Sequence, residues 1–222
     1  ERFQTNRALR ANEIYGNDTS IDKNEFYNYK YDTKYSERSV LVTNLKRFLI
    51  EAKTQDEEVL QVLNILRNWD YQTDSSAVGV HYALDAIKPV YNPDDYDYDY
   101  ELIMKRLKGS IKKTKDHFGK FDIRWGNIQR LKRGNKNLAL SGGPDILRAI
   151  YTKGDKGQRT AIAGDCYFQI VEWSPEGKVS SQSIHQYGSA TSDSNSVHYN
   201  DQAPLFSINK MKPVWMNIKD IK

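Results

Sequence analysis

The sequence predicts an α+β chain, with a helical N-terminal two-thirds and a strand-rich C-terminal part. Apolar residues recur at steps of three and four along most of the first half, which is the helical period. Later, the glycine and serine content rises and the apolar spacing shortens to the alternation of strands. Helices precede strands instead of alternating with them, which argues against repeated βαβ units. We therefore divide the chain into a mainly helical region, 1–120, and a strand-rich region, 121–222.

The first three predicted helices differ in length. Residues 7–14 form a short amphipathic segment, and residues 21–26 form another, for which Ser20 is a candidate N-cap. The third, at 39–52, is longer and carries its apolar residues on one face.

Two further helices are predicted from signals at their ends. Residues 54–57 read Thr-Gln-Asp-Glu, a capping box that predicts a helix continuing to Trp69. Residues 73–74, Thr-Asp, resemble an N-cap for a helix that stops before Pro89.

The last long helix is flanked by opposite charges. It is predicted at 100–117, with Gly119 just beyond its end, where glycine often stops a helix. The acidic stretch 94–99 lacks the glycine and glutamate of a calcium loop and is read as an exposed connection and helix start. The basic stripe at 105–115 has two interpretations: a solvated helix face, or a surface for phosphate backbones.

The C-terminal region is predicted to be mostly strands. Residues 128–131 suit a short strand, and residues 161–173 and 178–186 suit the two arms of a hairpin. A short helix is predicted at 201–209. Cys166, inside the first arm of the hairpin, is expected to be an inert, packed thiol.

Composition excludes several classes of protein. The 222 residues include 38% hydrophobic and 28% charged residues, with a net charge of +4, and no apolar run approaches the length of a bilayer span. The sequence opens at Glu1 without an initiator Met or a signal pattern, so we expect a processed chain or a piece of a longer one.

Common catalytic and metal-binding motifs are missing. A single cysteine excludes an internal disulfide and multi-cysteine zinc sites, and the four histidines form no HExxH motif, so no cofactor or metal site is predicted. Neither a GxSxG elbow nor a GxGxxG turn is present. The glycine-rich segment at 141–145 lacks the lysine of a phosphate loop and is expected to be a tight turn.

Longer sequence phrases resemble the penicillin acylase family of N-terminal-nucleophile hydrolases. These are a Trp-Asp phrase at 66–76, a Trp-Gly phrase at 124–133 with Gln129 in place of a frequent histidine, Leu-Ser-Gly-Gly-Pro-Asp at 140–145, and a phrase ending His-Tyr-Asn-Asp-Gln at 192–202. The tyrosine-rich stretch at 29–38 is similar to the branch of aculeacin-type and acyl-homoserine-lactone acylases.

The resemblance implies a portion of a four-layer αββα fold, from the C-terminal part of the large subunit. Such enzymes cut themselves to expose a serine, whose own α-amino group acts as its base, and an asparagine stabilises the oxyanion. Both groups precede the matched region. Glu1 cannot be that nucleophile, and the asparagine role is not transferred to Asn6 or Asn12. We therefore expect the chain alone to be inactive.

One supporting residue is implied within the chain. The family has an arginine that opens a helix of the form R-x-x-E-[IL], which Arg10–Ile14 fits, and Arg7 is the alternative register. The resemblance further implies, as partners, the remainder of the precursor and a small acyl amide: a penicillin, an acyl-homoserine lactone or a lipopeptide. It implies a periplasmic or secreted parent and no cofactor.

His198 and Tyr199 are expected to have structural roles, and Asp145 and Asp201 are expected to order loops.

A non-catalytic module that binds a glycan or a protein is the alternative to an acylase, since 15 tyrosines and four tryptophans suit such a surface. Binding of nucleic acid through the basic stripe is a second alternative.

Overall fold

The structure is a computed structural model that describes residues 3–92, 97–154 and 157–221. This part of the chain contains eight α-helices and two β-sheets, which confirms the predicted α+β class. The helices are α1 (Asn6–Tyr15), α2 (Lys23–Lys30), α3 (Val40–Glu51), α4 (Glu57–Arg67), α5 (Val80–Ala86), α6 (Tyr100–Phe118), α7 (Trp125–Ile128) and α8 (Ala203–Ser207). The strands are β1 (Gln129–Arg133), β2 (Lys136–Ala139), β3 (Ile150–Lys153), β4 (Arg159–Gly164), β5 (Phe168–Trp173), β6 (Val179–Ile184) and β7 (Lys212–Pro213). None of the described helices is long and apolar enough to span a bilayer.

Helices with strong local signals form where they were predicted. Ser39 caps α3 by accepting a hydrogen bond from the backbone N–H of Val42 at 3.3 Å. Asp99 caps α6 in the same way, and Gly119 ends it with a φ of +67°, a conformation that favours glycine. Of the acidic stretch predicted to be an exposed connection, residues 94–96 lie outside the described residues.

Two predicted N-caps are wrong by two residues. Asp22, not Ser20, caps α2, and it closes a capping box with Glu25, whose carboxylate accepts from the Asp22 N–H at 2.8 Å. Asp56, not Thr54, caps α4. In both places an aspartate follows the predicted cap, and its carboxylate is the group that reaches the free N–H groups of the first turn.

The predicted start of α5 is also wrong, because residues 73–78 are not helical. The Thr73 hydroxyl donates to the Thr33 carbonyl at 2.7 Å and so joins two distant segments. Asp74 closes a local turn, and the helix begins only after Gly79, whose φ is +95°. A tertiary contact therefore uses the side chain that the sequence suggested as a cap.

The strands form two separate sheets. The first has the order β2-β1-β4-β3, in which β1 and β4 are parallel and the other pairs are antiparallel. The second has the order β5-β6-β7 and is antiparallel throughout. The predicted hairpin is confirmed for β5 and β6, but residues 161–164 belong to β4 of the first sheet. The predicted strand at 128–131 and helix at 201–209 correspond to β1 and α8.

Two hydrophobic cores underlie these elements. The larger core packs α3, α4, α5 and α6 together around Leu45, Leu63 and Leu107, and Trp125 of α7 joins it. The smaller core lies between the two sheets and α8, with Leu131, Ile184 and Phe206 fully or almost fully buried. Helix α7 leads directly into β1 and therefore connects the helical and strand-rich regions.

Candidate functional site

The N-terminus of α1 is held by a carboxylate from the glycine-rich turn. Asp145 accepts hydrogen bonds from the backbone N–H groups of Asn6 at 2.8 Å and Arg7 at 3.4 Å. A negative charge there is stabilised by the helix dipole. Burial raises the pKa of the Asp145 carboxyl, while these two N–H groups act in the opposite direction. The turn at 141–145 thus orders a helix start, in agreement with the loop-ordering role expected for Asp145.

Asn6 joins three segments that are distant in sequence. Its side-chain amide donates to the Asp145 carbonyl at 2.7 Å, and its amide oxygen accepts from the Ser36 N–H at 2.7 Å. The residue is only 4% exposed, so each lost hydrogen bond would leave a buried polar group unpaired. The sequence analysis did not predict this role, because the partners lie 139 and 30 residues away.

Arg10 lies one turn further along α1 and binds two carboxylates. Its Nε and one terminal nitrogen donate to the two oxygens of Asp32 at 3.2 and 2.7 Å, and the other terminal nitrogen donates to Glu13 at 3.0 Å. Hydrogen bonds to Asp32 are the largest cause of a raised pKa for the Arg10 guanidinium. Glu13 also accepts from the Ser36 hydroxyl at 2.5 Å. We call this network, formed by Asn6, Arg10, Glu13, Asp32, Ser36 and Asp145, the α1 cluster.

The two registers considered for the family arginine have different surroundings. The Arg10 side chain is 15% exposed, and three of its five N–H groups are used within the cluster. The Arg7 side chain is exposed and makes no hydrogen bond or ion pair with any residue that the structure describes. The assignment of Arg10 as the supporting residue stays a prediction.

The α1 cluster can position groups but offers no accessible nucleophile of its own. Ser36 is 1% exposed and its hydroxyl already donates to Glu13, so substrate cannot reach it. Arg10 partly neutralises Asp32 and Glu13, and a bidentate arginine–carboxylate pair fixes orientation as well as charge. The cluster therefore fixes α1 against the 32–36 segment and the 141–145 turn.

Other residues named in the sequence analysis lie outside the cluster. Trp69 is packed, and its indole N–H donates to the Gln72 carbonyl at 2.7 Å. His198 is exposed and pairs with Asp201 at 2.8 Å. Tyr199 lies under the guanidinium of Arg133, with 4.2 Å to the ring centroid. None of these side chains contacts a member of the α1 cluster through a hydrogen bond in the described residues.

The interpretation of Cys166 as a packed thiol within a strand is wrong. The residue is exposed and lies in the connection between β4 and β5. The chain leaves one sheet at Gly164 and enters the other at Phe168. Strand-forming residues on both sides of the connection produced the false prediction of one long strand.

The basic stripe at 105–115 is divided between two sides of α6. On one side Lys112 pairs with Asp116 at 2.9 Å, and Lys115 pairs with Glu58 of α4. On the other side Arg106 and Lys113 border a cleft. The stripe is therefore not one continuous cationic surface.

Comparison with known proteins identifies the family to which the chain belongs. The family model described as penicillin amidase matches residues 2–222, and the chain belongs to that family. It is 26% identical over 199 residues to the acyl-homoserine lactone acylase PvdQ of Pseudomonas syringae pv. tomato, covering 78% of this chain and 26% of that protein. It is 29% identical over 94 residues to the protein of the same name from Pseudomonas fluorescens, covering 40% and 12%. The chain thus spans about a quarter or less of the length of these curated relatives.

Proposed function

We propose that this chain is part of an acylase that hydrolyses the amide bond of an acylated small molecule. The observation that carries the proposal is the match to the penicillin amidase family over residues 2–222. Penicillins, acyl-homoserine lactones and lipopeptides are the candidate substrates. The names of the relatives favour an acyl-homoserine lactone as the first to test.

The proposed reaction uses an N-terminal serine on another segment of the parent protein. The serine hydroxyl loses its proton to the serine's own α-amino group and attacks the amide carbonyl. The carbon–nitrogen bond breaks, the amine leaves with that proton, and water then hydrolyses the acyl ester. An asparagine and a backbone N–H, also outside this chain, hold the oxyanion. No cofactor takes part, and we place the parent in the periplasm or outside the cell by analogy with its family.

We propose that Arg10 supports this reaction by positioning and charge. Its bidentate pair with Asp32 fixes the guanidinium in the α1 cluster, and two N–H groups remain for a neighbouring segment. Because the cluster also holds the N-terminus of α1 through Asn6 and Asp145, a displaced Arg10 would disturb the whole helix start.

The regions 1–120 and 121–222 are proposed to be two parts of one larger αββα domain. Apolar side chains on the described sheets face outwards: Trp173 of β5 is 69% exposed and Ile162 of β4 is 60% exposed. A further layer packed on these sheets would bury both side chains. We propose that the remainder of the precursor supplies the layers that cover them.

The test is made in the complete, self-processed protein. Arg10→Lys keeps the charge but loses the planar fork, and we expect turnover of an N-acyl-homoserine lactone to fall about tenfold or more. Because the fork binds Asp32, we also expect stability to fall by about 1 kcal/mol. Arg7→Lys is the matched control and should have a much smaller effect on turnover.

If Arg7→Lys reduces turnover and Arg10→Lys does not, the register of the arginine is off by one helical turn. If both variants are silent, this end of the chain is scaffold. If the complete protein releases no acid from any acyl amide, the proposed acylase function is refuted.

A further inference from the structure

Strand β5 forms an open edge of the second sheet. It lies outermost in the order β5-β6-β7, and β6 is its only backbone partner among the described residues. All six of its residues pair with β6 in one unbroken register, so no bulge twists the edge away. An edge strand presents a row of N–H and C=O groups on its outer side. In β5 these outer groups find no backbone partner in the described part of the chain.

The other three edges of the described sheets carry features that oppose further pairing. Strand β7 has only two residues, and one of them is Pro213, which has no N–H. Strand β3 has a register irregularity between Tyr151 and Thr152 and ends on Lys153. Strand β2 begins with Lys136. Short length, proline, bulges and lysine are the means by which natural proteins prevent pairing at an edge.

The sequence of β5 lacks these protections. Its six residues, Phe-Gln-Ile-Val-Glu-Trp, include no proline, glycine or lysine, and most of them favour strands. The one charge, on Glu172, is paired with Lys23 of α2. A short segment with high strand propensity and low net charge is a hazard for uncontrolled pairing when its edge is left open. Strand β5 is therefore suited to a permanent partner strand.

The two faces of β5 differ in what covers them. On one face α2 packs against the sheet, and the ring centroid of Tyr31 lies 6.1 Å from that of Phe168. On the opposite face the side chains of Val171 and Trp173 are 36% and 69% exposed. A strand added beside β5 would place its own side chains next to these two. Because side chains alternate between the faces of a strand, apolar residues at every second position suit this edge.

We propose that β5 pairs along its open edge with an extended strand from the remainder of the precursor. The added strand spans about six residues, as β5 does, and carries apolar side chains beside Val171 and Trp173. Its backbone supplies the hydrogen bonds, and its alternate side chains supply the specificity. This inference rests on the proposed function only in that the chain is part of a larger acylase precursor.

The remainder of the precursor fits this edge better than a second copy of the chain does. The chain spans about a quarter or less of the length of its curated relatives, so a protein of that length holds many further segments. A strand in the same molecule is presented to β5 at a high effective concentration, whereas a second copy must associate from solution. The layer proposed to cover Trp173 also lies beside this edge.

Hydrogen–deuterium exchange of the complete, self-processed protein, resolved to single residues, tests the pairing. All the amides of Phe168–Trp173 should exchange about a hundredfold or more slowly than those of an unpaired edge. The outer amides of β3, whose edge carries the irregularity and Lys153, are the internal control and should exchange fast. Fast exchange at every second residue of β5, or equal protection of the two edges, would overturn the proposal.

The exchange experiment requires no turnover, so it separates this inference from the proposed function. An active acylase with a fast-exchanging β5 edge would refute the strand pairing alone. A protein with a protected β5 edge that releases no acid from any acyl amide would refute the acylase function alone.

Photo-crosslinking identifies the partner strand. In the purified complete protein, Val171→p-benzoylphenylalanine should crosslink to a peptide from outside the 222 residues of this chain. Lys153→p-benzoylphenylalanine, on the edge of β3, is the matched control and should give clearly less of such a product. A product with twice the mass of the large subunit on a denaturing gel would show a second copy as the partner. A product confined to residues 1–222 would show that no strand is added, and either of these two results would overturn the proposal.

Discussion

Acidification should destabilise this protein through His81. The imidazole is buried, and that burial lowers its pKa from 6.5 to about 3. The folded state therefore binds fewer protons than the unfolded state between these values. The corresponding stability is fully present above pH 6.5 and is lost as the pH falls towards the folded pKa.

The structure sets the size of this effect. Each pH unit between the two pKa values changes the unfolding free energy by about 1.4 kcal/mol. Between pH 6.5 and about pH 5, His81 should therefore remove about 2 kcal/mol of unfolding free energy. That is a large fraction of the stability of a typical domain.

Urea unfolding of the 222-residue chain, followed by tryptophan fluorescence, measures the loss. Trp69 and Trp125 are buried in the helical core and should report its exposure. His81→Gln removes the titrating group, so its unfolding free energy should fall about 2 kcal/mol less over the same pH interval. His117→Gln, which removes an exposed imidazole from α6, should behave like the wild type. Equal acid losses in the wild type and His81→Gln would refute the reasoning.

Three further predictions concern contacts described above. Asn6→Ala should lower the unfolding free energy by about 2–4 kcal/mol, because it leaves the Ser36 N–H and the Asp145 carbonyl unpaired. Asn12→Ala, on the exposed face of α1, should stay within about 0.5 kcal/mol of the wild type in the same urea assay. Gly142→Ala should lower the unfolding free energy by about 2 kcal/mol or more, because φ is +111° and the new Cβ would lie 2.5 Å from the Arg148 carbonyl oxygen. Gly177→Ala, at a positive φ but in open space, should lower it clearly less, and equal losses in the two variants would show that the clash at Gly142 is relieved. Cys166 should react with a thiol reagent in the native 222-residue chain as fast as in denaturant, and protection of the native thiol would contradict its exposed position.

The family and the fold class could be predicted from the sequence because their signals are local or contiguous. Helix α6 has an aspartate cap at one end and Gly119 at the other, and its apolar residues follow the helical period between them. The phrases that resemble the penicillin acylase family occur in order along the chain, and the family match confirms them. Side-chain chemistry within a few residues was sufficient for these predictions.

Failures of the sequence analysis occur where a side chain has a distant partner or the chain changes sheet. Thr73 looked like a helix cap, but its hydroxyl binds Thr33, forty residues away. Residues 161–173 looked like one strand, but the connection around Cys166 divides them between two sheets. Local propensity cannot distinguish these alternatives, because the competing contacts depend on residues far along the chain.

Sequence alone therefore determined the class of the chain, the order of a helical region before a strand-rich one, and Arg10 as a candidate. Only the tertiary structure showed that Asp32 occupies the Arg10 fork and that Asn6 bonds to Asp145, 139 residues away. It alone also placed β5 at an open edge of the second sheet. Hydrogen bonds and charges act over a few ångströms in space, and the distance between their partners along the chain carries no signal of that proximity.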